Sequence, residues 1–295
     1  METARCRAFV ASAETGTFSA AAEQLGYTPS GVNQLVTALE DELQLKLMTR
    51  TKKGVTLTPE GEALLPVVRK FLSDEKDIYD FVSEIRGLSV GSVRIASYPS
   101  ISTFWLPRII SAFEDDYPNI EITIMEGISQ EIIEWLNQGE ADIAFFAEPE
   151  TYDFEWLPLA EDRMIAVLPT DHPLAESEAY PIRRCEKDKF IMPALGHDVD
   201  VEALFRKHKV KPNIRFSTLE NVTTLAMVKN GLGVSIMNEL CTAMWDEGIV
   251  KLPLSPAENV TMGIALPNKP HHSAATTEFV NYAVRMLTKA DVKTR

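Results

Sequence analysis

The sequence contains few cysteines, no long apolar run and no motif typical of a metal or nucleotide site. Its three cysteines, Cys6, Cys185 and Cys241, form no Cys-x-x-Cys or Cys/His pair at zinc-binding spacing. No stretch approaches the roughly 18 unbroken apolar residues of a membrane helix, and the N-terminus lacks the apolar core and cleavage site of a signal peptide. We therefore expect a cytoplasmic protein with free thiols and without a metal, a cofactor or a membrane partner.

Motifs of catalysis are missing as well. The segment "NGLGVS" at residues 230–235 contains Gly-x-Gly but precedes a predicted strand, whereas a dinucleotide fingerprint opens a helix. The chain has no P-loop and no Gly-x-Ser-x-Gly, and His172, His197, His271 and His272 are not at metal-binding spacing. We expect that the protein is not an enzyme, and a small-molecule-binding enzyme or receptor is the alternative from another class.

Positive charge is scarce and unevenly distributed. The chain carries a formal net charge of −14, of which residues 1–90 contribute only −3. Lys46, Arg50, Lys52 and Lys53 lie within eight residues that contain no acid. An acidic protein repels a polyanion such as DNA, but this short basic segment leaves one local surface that can attract it.

Three helices are predicted in the first 43 residues. Apolar residues at helical spacing indicate a first helix that ends near Gly16, and Ser19 is expected to cap a second helix that runs to Leu25. Thr28 followed by Pro29 is typical of an N-cap and a first helical position, so a third helix begins soon after the second. This is the helix-turn-helix plan, in which the second helix of the pair enters the major groove of DNA.

The third helix has an apolar face and an opposite face that is polar but uncharged. Amides such as those of Asn33 and Gln34 can bond adenine in the major groove, and hydroxyl groups can bond bases or phosphates. A merely solvated surface helix is the alternative reading. The residues of this helix start that we expect to contact DNA are Thr28, Pro29, Ser30, Gly31, Asn33, Gln34 and Thr37.

A β-hairpin is predicted directly after this helix. Residues 44–58 alternate apolar and polar side chains on either side of Lys53-Gly54, which is typical of a hairpin with a glycine turn. Arg50, Lys52 and Lys53 at its tip are expected to attract phosphates irrespective of sequence. The hairpin would act as a wing beside the uncharged helix, so that one element supplies charge and the other reads bases.

A long helix follows, from Thr58-Pro59 to about Arg86. Its apolar residues alternate in steps of four and three, which predicts a heptad seam and a helical partner. A helix that packs only on its own chain is the alternative. We favour a homodimer, which would present two DNA-reading helices to a two-fold symmetric site. The residues expected in this dimerisation seam are Leu64, Val68, Phe71, Ile78, Val82 and Ile85.

The N-terminal segment resembles the DNA-binding domain of the LysR-type transcriptional regulators. The resemblance is dense over about the first 65 residues. The sequence departs from the family at two positions: it has Asn33 where the family usually has Ser, and Met48 where the family usually has Phe. The resemblance implies binding to double-stranded DNA, a homodimer or homotetramer, and RNA polymerase as a further partner. It is carried by Phe9, Gly16, Phe18, Ala21, Ala22, Leu25, "TPSGVNQLVTALEDEL", Leu47, Arg50, Thr51 and "LTPEGEALL".

The remaining two hundred residues alternate predicted strands and helices. The order βαβαβ over residues 92–146 predicts an α/β lobe with parallel strands. The pattern recurs from Arg163, and the tail from residue 260 returns to the first lobe. Two such lobes enclose a cleft in which small ligands bind. Segments such as "GEADIAF" and "VKNGLGVSIM" resemble the effector domain of the same regulators, which is similar to type 2 periplasmic binding proteins.

The predicted fold is thus a mostly α winged helix-turn-helix domain with a long linker helix, followed by a two-lobed α/β domain of the type 2 periplasmic-binding-like class. We expect the DNA-binding domain at 1–58, the linker at 59–88 and the effector domain at 89–295. Lobe I would comprise residues 89–162 and 265–295, and lobe II residues 163–264.

The expected ligand is a small anion. Residues after two strands of the first lobe fall at helix starts, where free N–H groups favour a carboxylate, and ordinary helix caps are the alternative reading of these serines and threonines. No Arg falls in these loops, so a dianion would lack its usual partner. The candidate effector-binding residues are Ser100, Ile101, Ser102, Thr103, Ile128, Ser129, Pro193, Ala194 and Thr218.

A redox function is the other alternative for the same architecture. Cys185 is flanked by Arg183, Arg184 and Lys187, and neighbouring cations favour a reactive thiolate. Its potential partner Cys241 is far away in the sequence, with no sign of pairing. The sequence therefore leaves two alternatives for this architecture: a regulator that senses a small molecule, and one that senses oxidants through Cys185.

Overall fold

The computed structural model describes residues 2–51, 54–85, 91–194, 198–245 and 247–289. The chain forms two compact units: an N-terminal unit with the described residues up to Ile85, and a C-terminal unit with nearly all of those from Gly91 onward. In the described ranges, no helix combines the length and the apolar character required to cross a membrane.

The N-terminal unit contains four helices and a two-stranded wing. Their apolar faces meet in one core, in which Phe9, Val32, Val36, Leu39 and Leu47 are fully buried. The elements are α1 (Thr3–Thr15), α2 (Phe18–Leu25), α3 (Pro29–Leu43), β1 (Met48–Thr51), β2 (Gly54–Leu57) and α4 (Pro59–Ile85).

The helix-turn-helix is defined by its caps. The side chain of Thr28 accepts a hydrogen bond from the Gly31 N–H at 3.1 Å, which confirms the predicted start of α3. The prediction that Ser19 caps α2 is wrong. Thr17 has the extended backbone of an N-cap and accepts from the Ala20 N–H at 3.1 Å, so α2 begins one residue before Ser19.

The wing is an antiparallel pair in which Met48 lies opposite Leu57 and Thr51 opposite Gly54. The predicted hairpin is confirmed in a shorter form. Its tip residues Lys52 and Lys53 lie outside the described residues.

Gly54 fixes the position of the wing against α1. Its φ is +138°, and a Cβ atom built there would lie 2.3 Å from the carbonyl oxygen of Gly16. The next residue, Val55, donates its N–H to that same oxygen at 2.8 Å. The wing can therefore approach the end of α1 only because residue 54 has no side chain.

We expect Gly54→Ala to destabilise the N-terminal unit by about 2–3 kcal/mol, because a positive-φ strain and a backbone clash act together. Gly26→Ala is the matched control, since Gly26 also has a positive φ of +70° but open space around its Cβ position. Hydrogen exchange of the wing and of α1 in the full chain measures the loss. Equal losses in the two variants would show that close approach to Gly16 does not matter.

The two halves of α4 differ in environment. In the first half, Val68 is buried, and Leu64 and Phe71 pack against the core of the N-terminal unit. In the second half, Ile78 and Val82 are exposed. This corrects the prediction that the whole seam faces a partner, because the first half is covered by the same chain. The side chain of Ile85 lies outside the described residues.

Lobe I of the C-terminal unit is a mixed sheet with helices on both faces. The first three strands along the chain, β3 (Gly91–Ser97), β4 (Ile120–Glu126) and β5 (Ile143–Ala147), are parallel in the order β4-β3-β5, which confirms the βαβαβ prediction. The helices of this lobe are α5 (Pro99–Phe104), α6 (Leu106–Asp116), α7 (Ser129–Asn137) and, near the C-terminus, α10 (Ala274–Lys289).

One predicted helix of lobe I is in fact two. The sequence pattern over residues 102–118 predicts one continuous helix, but α5 ends at Phe104 and α6 begins at Leu106. Pro107 lies at the start of α6 and has no N–H to donate to the preceding turn, which accounts for the break.

The long strand β6 (Phe154–Pro169) links the two lobes. Its first part pairs antiparallel with β12 (Asn259–Pro267), which also pairs with β5, and its second part pairs antiparallel with β10 (Ser235–Asn238) and β11 (Ile249–Ser255). β12 pairs with β5 from Met262 to Ala265, which places these residues in the sheet of lobe I.

Lobe II completes the C-terminal unit. Its core, in which Tyr180, Cys185, Phe190 and Ile236 are buried, lies between the second part of β6 and the helices. The other elements of lobe II are β7 (Tyr180–Pro181), β8 (Phe190–Met192), α8 (Val199–His208), β9 (Ile214–Ser217) and α9 (Asn221–Lys229), with β8 and β9 parallel.

Candidate DNA-binding surface and inter-lobe cleft

The polar face of α3 is accessible to a large partner. Pro29, Ser30 and Gln34 are exposed, and Asn33 and Thr37 are partly exposed, while the apolar stripe of the same helix is buried. Tyr27, which the sequence reasoning missed, is 50% exposed immediately before the cap. Its position directly before the N-cap Thr28 is the sequence feature that could have indicated it.

An open depression of about 600 Å³ separates the start of α3 from the wing. It brings together the predicted Pro29, Ser30, Asn33 and Arg50. It also contains hydroxyl-bearing residues that were not predicted. The full lining is Thr17, Phe18, Ser19, Pro29, Ser30, Asn33, Arg50, Thr51, Gly54 and Val55.

Arg50 is positioned by three contacts within the N-terminal unit. Its Nη2 donates to Thr37 Oγ1 at 2.8 Å, and the guanidinium lies 5.6 Å from the centre of the Phe18 ring and 3.8 Å from Glu40 Oε2. The side chain remains 45% exposed. It is therefore held beside α3 with part of its donor set open to an anion.

Glu40 connects α3 to the wing from inside the core. The side chain is 1% exposed, and its Oε1 accepts from the N–H groups of Leu47 and Met48 at 2.8 and 3.1 Å. Its Oε2 accepts from Lys46 Nζ at 3.0 Å. Burial raises the pKa of Glu40, but these hydrogen bonds outweigh it and hold the pKa below its ordinary value.

The inter-lobe cleft has a volume of about 330 Å³. It lies between the start of α5 and α7 in lobe I and the start of α8 and α9 in lobe II. Its lining consists of Tyr98, Pro99, Ser100, Glu126, Gly127, Ile128, Ser129, Glu131, Ala194, Asp198, Val199, Asp200, Leu219, Glu220, Asn221, Asn238 and Cys241.

The cleft contains four of the nine predicted effector residues: Ser100, Ile128, Ser129 and Ala194. The other five do not line it. Ile101 is buried in the core of lobe I, and Thr103 is exposed and donates to the Pro99 carbonyl. Ser102, Pro193 and Thr218 are buried, the last in a hydrogen bond with Thr224.

The N-terminus of α7 already holds a carboxylate. Glu131 Oε2 accepts from the N–H of Ile128 at 2.9 Å. One backbone donor at this helix start is thereby satisfied by the protein's own acid.

Acidic groups dominate the cleft on the lobe II side. Asp198 caps α8 by accepting from the N–H groups of Asp200 and Val201 at 3.2 and 3.0 Å. Burial, then the nearby Asp198 and Asp162, raise the pKa of Asp200 to about 7. Burial also raises the pKa of Asp162 to about 6. Asp198 and Asp200 were missed although the predicted Ala194 lies only four and six residues before them.

The thiols are not in a reactive environment. Cys185 is fully buried, donates to the Tyr180 hydroxyl at 3.8 Å, and has a pKa that burial raises to about 12. Burial raises the pKa of the cleft residue Cys241 to about 12 as well. A thiolate is the reactive form, so this geometry weighs against the alternative in which Cys185 senses oxidants.

Family models match both parts of the chain. Residues 4–62 match "Bacterial regulatory helix-turn-helix protein, lysR family", and residues 86–288 match "LysR substrate binding domain". The "Uncharacterized HTH-type transcriptional regulator YoaU" of Bacillus subtilis is 30% identical over 276 residues, which cover 92% of this chain and 94% of that protein.

Solved structures share the fold. A full-length variant of OxyR from Pseudomonas aeruginosa has a TM-score of 0.72 at 22% identity, with 98% of each chain covered. Full-length CbnR complexed with its target DNA has a TM-score of 0.56 at 21% identity, with 98% of this chain and 100% of that chain covered. The regulatory domain of CcmR from Synechocystis PCC6803, in complex with 2-PG, has a TM-score of 0.63 at 22% identity, with 68% of this chain and 98% of that chain covered.

Proposed function

Because this chain belongs to the LysR family of transcriptional regulators, we propose that α3 and the wing bind double-stranded DNA and that a small molecule in the inter-lobe cleft controls this binding. The observation that carries the proposal is the uncharged, exposed polar face of α3 beside a wing whose Arg50 is held by Thr37 of that helix. We place the protein in the cytoplasm, where it reaches its target DNA.

The division of roles between α3 and the wing follows from their chemistry. Gln34 and Asn33 carry amides that can bond base edges, and the wing carries cations that can bond phosphates. Thr28 and Thr37 already make hydrogen bonds within the protein: Thr28 caps α3, and Thr37 accepts from Arg50. Gly31, whose N–H donates to Thr28, leaves room for close approach of a duplex.

Gln34→Ala is expected to weaken binding to the cognate site by about 1–3 kcal/mol and to relax the base preference at one position. Lys52→Ala should instead weaken binding to all sequences alike. Gln24→Ala, which removes an exposed amide from α2, is the matched control. Selection of genomic fragments by the pure protein, followed by titration of specific and random DNA, measures these effects. If Gln34→Ala lowered both affinities equally, base reading by this residue would be refuted.

We further propose that two chains associate through the second half of α4. Ile78 and Val82 are exposed there along a heptad register, which is an arrangement that a second α4 can cover. A homotetramer and a contact with RNA polymerase rest on the family resemblance alone.

The effector itself was expected to be a carboxylate. The neighbour CcmR carries 2-PG in its regulatory domain. In this chain, however, Glu131 accepts from the Ile128 N–H at the start of α7 and places a carboxylate there, and Asp198, Asp200 and Glu220 line the lobe II side of the cleft. We therefore propose a small-molecule effector whose chemical class is set by the charge of the cleft.

A further inference from the structure

The inter-lobe cleft combines several acids with no basic residue among the described side chains that line it. Glu126, Glu131, Asp198, Asp200 and Glu220 supply five carboxyl groups. Apart from burial, the groups that shift the pKa of Asp200 are two further acids, Asp198 and Asp162. Carboxyl groups gathered in this way repel a further anion and favour a positively charged guest.

An unpartnered amide gives a second and independent indication of a ligand. Asn238, at the end of β10, lines the same cleft and is only 6% exposed. Its Nδ2 is buried and makes no hydrogen bond within the described part of the chain. A buried amide group without a partner is costly, and a bound ligand that hydrogen-bonds to it removes that cost.

From these two observations we propose that the effector is a small organic amine, whose ammonium group faces Asp198 and Asp200 and whose hydroxyl or carbonyl oxygen faces Asn238. The inference rests on the proposed function only in assuming that the inter-lobe cleft is the effector site. The hydroxyl groups of Ser100, Ser129 and Tyr98 on the lobe I side supply further hydrogen-bonding partners for such a molecule.

The size and the electrostatics of the cleft agree with this class. A volume of about 330 Å³ is at the lower end for ligand sites and fits a small metabolite. The raised pKa values of Asp198, Asp200 and Asp162 have burial as their first cause and mutual repulsion as an additional cause for Asp200. An ammonium group would relieve that repulsion.

A metal ion is the other cation to consider. A metal site needs several converging ligands at fixed geometry. No group of three or more His, Cys, Asp or Glu in the described ranges is placed to hold one. The described acids of the cleft therefore suit an organic cation, which needs fewer carboxylate contacts and also takes hydrogen bonds.

Thermal unfolding of the full chain at pH 8 with matched small molecules tests the class. The probes are 4-aminobutanol, butanediol and succinate, which share a four-carbon chain and differ in charge. We expect the amine to raise the melting temperature by about 3 °C at a concentration roughly tenfold above its Kd, and the diol and the dianion to raise it little. Stabilisation by succinate alone, or by none of the three at high concentration, would overturn the proposal.

The variant Asp200→Asn links the effect to the cleft. It should weaken amine binding about tenfold or more, because a charge-assisted hydrogen bond is lost. Glu178→Gln is the matched control, since Glu178 is an exposed acid of the same lobe and does not line the cleft. Unchanged amine binding by Asp200→Asn would contradict the assignment.

A ligand-free measurement separates binding from folding. Asp200→Asn without ligand should melt at pH 8 at the same temperature as the wild type or higher, because the change removes a repelled carboxylate. A melting temperature several degrees lower would show that Asp200 has a structural role instead. None of these measurements uses DNA, so they can fail while DNA binding holds, and DNA binding can fail while they hold.

Discussion

Glu40→Ala is expected to destabilise the N-terminal unit by about 3–5 kcal/mol, because it removes the acceptor that two buried N–H groups share. Glu40 is 1% exposed, and its Oε1 is the acceptor for both Leu47 and Met48. Without it these N–H groups are buried without a partner at the point where the chain leaves α3 for the wing. Hydrogen exchange of residues 44–51 in the full chain should report the loss directly.

Glu40→Gln is the matched variant for this prediction. A glutamine can keep the Oε1 acceptor and loses only the charge near Lys46 and Arg50. Because Lys46 is 71% exposed, its ion pair contributes little, and we expect a loss of about 1–2 kcal/mol. If the alanine and glutamine variants lost equally, the hydrogen bonds to the wing would not be the source of stability.

The pH dependence of stability gives a further check on Glu40. Its pKa is lower in the folded protein than in the unfolded chain, so its contribution is fully present above the unfolded pKa and is lost as pH falls through the folded pKa. The wild type should therefore lose protection in the wing at acidic pH. Glu40→Gln has no charge to lose and should show a smaller change over the same range.

Ile78→Glu is expected to abolish paired binding of two chains to a two-fold symmetric operator. Linking two DNA-binding units raises affinity through their effective concentration by roughly 100-fold to 10,000-fold. A charge at the centre of a coiled seam removes that gain. The affinity for an operator with two half-sites should therefore fall about 100-fold or more, while the affinity for a single half-site stays unchanged.

The control for this change is Val222→Glu in α9. Ile78 and Val222 are each 64% exposed, so the two variants introduce the same charge at equal accessibility. Sedimentation and titration against one-site and two-site DNA give both oligomeric state and affinity. A dimer that persists in Ile78→Glu would contradict the proposed role of the second half of α4.

The sequence predicted the elements that have strong local signals. Thr28-Pro29 and Thr58-Pro59 marked the starts of α3 and α4 because an N-cap followed by proline is a local arrangement. The parallel order of β3, β4 and β5 followed from the alternation of strands and helices. The chosen cap of α2 was wrong by two positions, since Thr17 and Ser19 are chemically similar and only the backbone distinguishes them.

The candidate sites were predicted less completely than the fold. The polar face of α3 was predicted because one helix carries all of it. The cleft was predicted in part, because its residues come from segments as distant as Ser100, Asp200 and Asn238. Only the pairing of β6 with strands of both lobes brings these segments together.

By itself the sequence determined the helix-turn-helix, the wing, the long helix and the alternation of strands and helices, because caps, periodicity and turn residues act over a few positions. The tertiary structure decided which half of α4 is free, how Glu40 holds the wing, and that the inter-lobe cleft is acidic. These features depend on side chains from distant segments that meet in space, and no local pattern specifies which of them will meet.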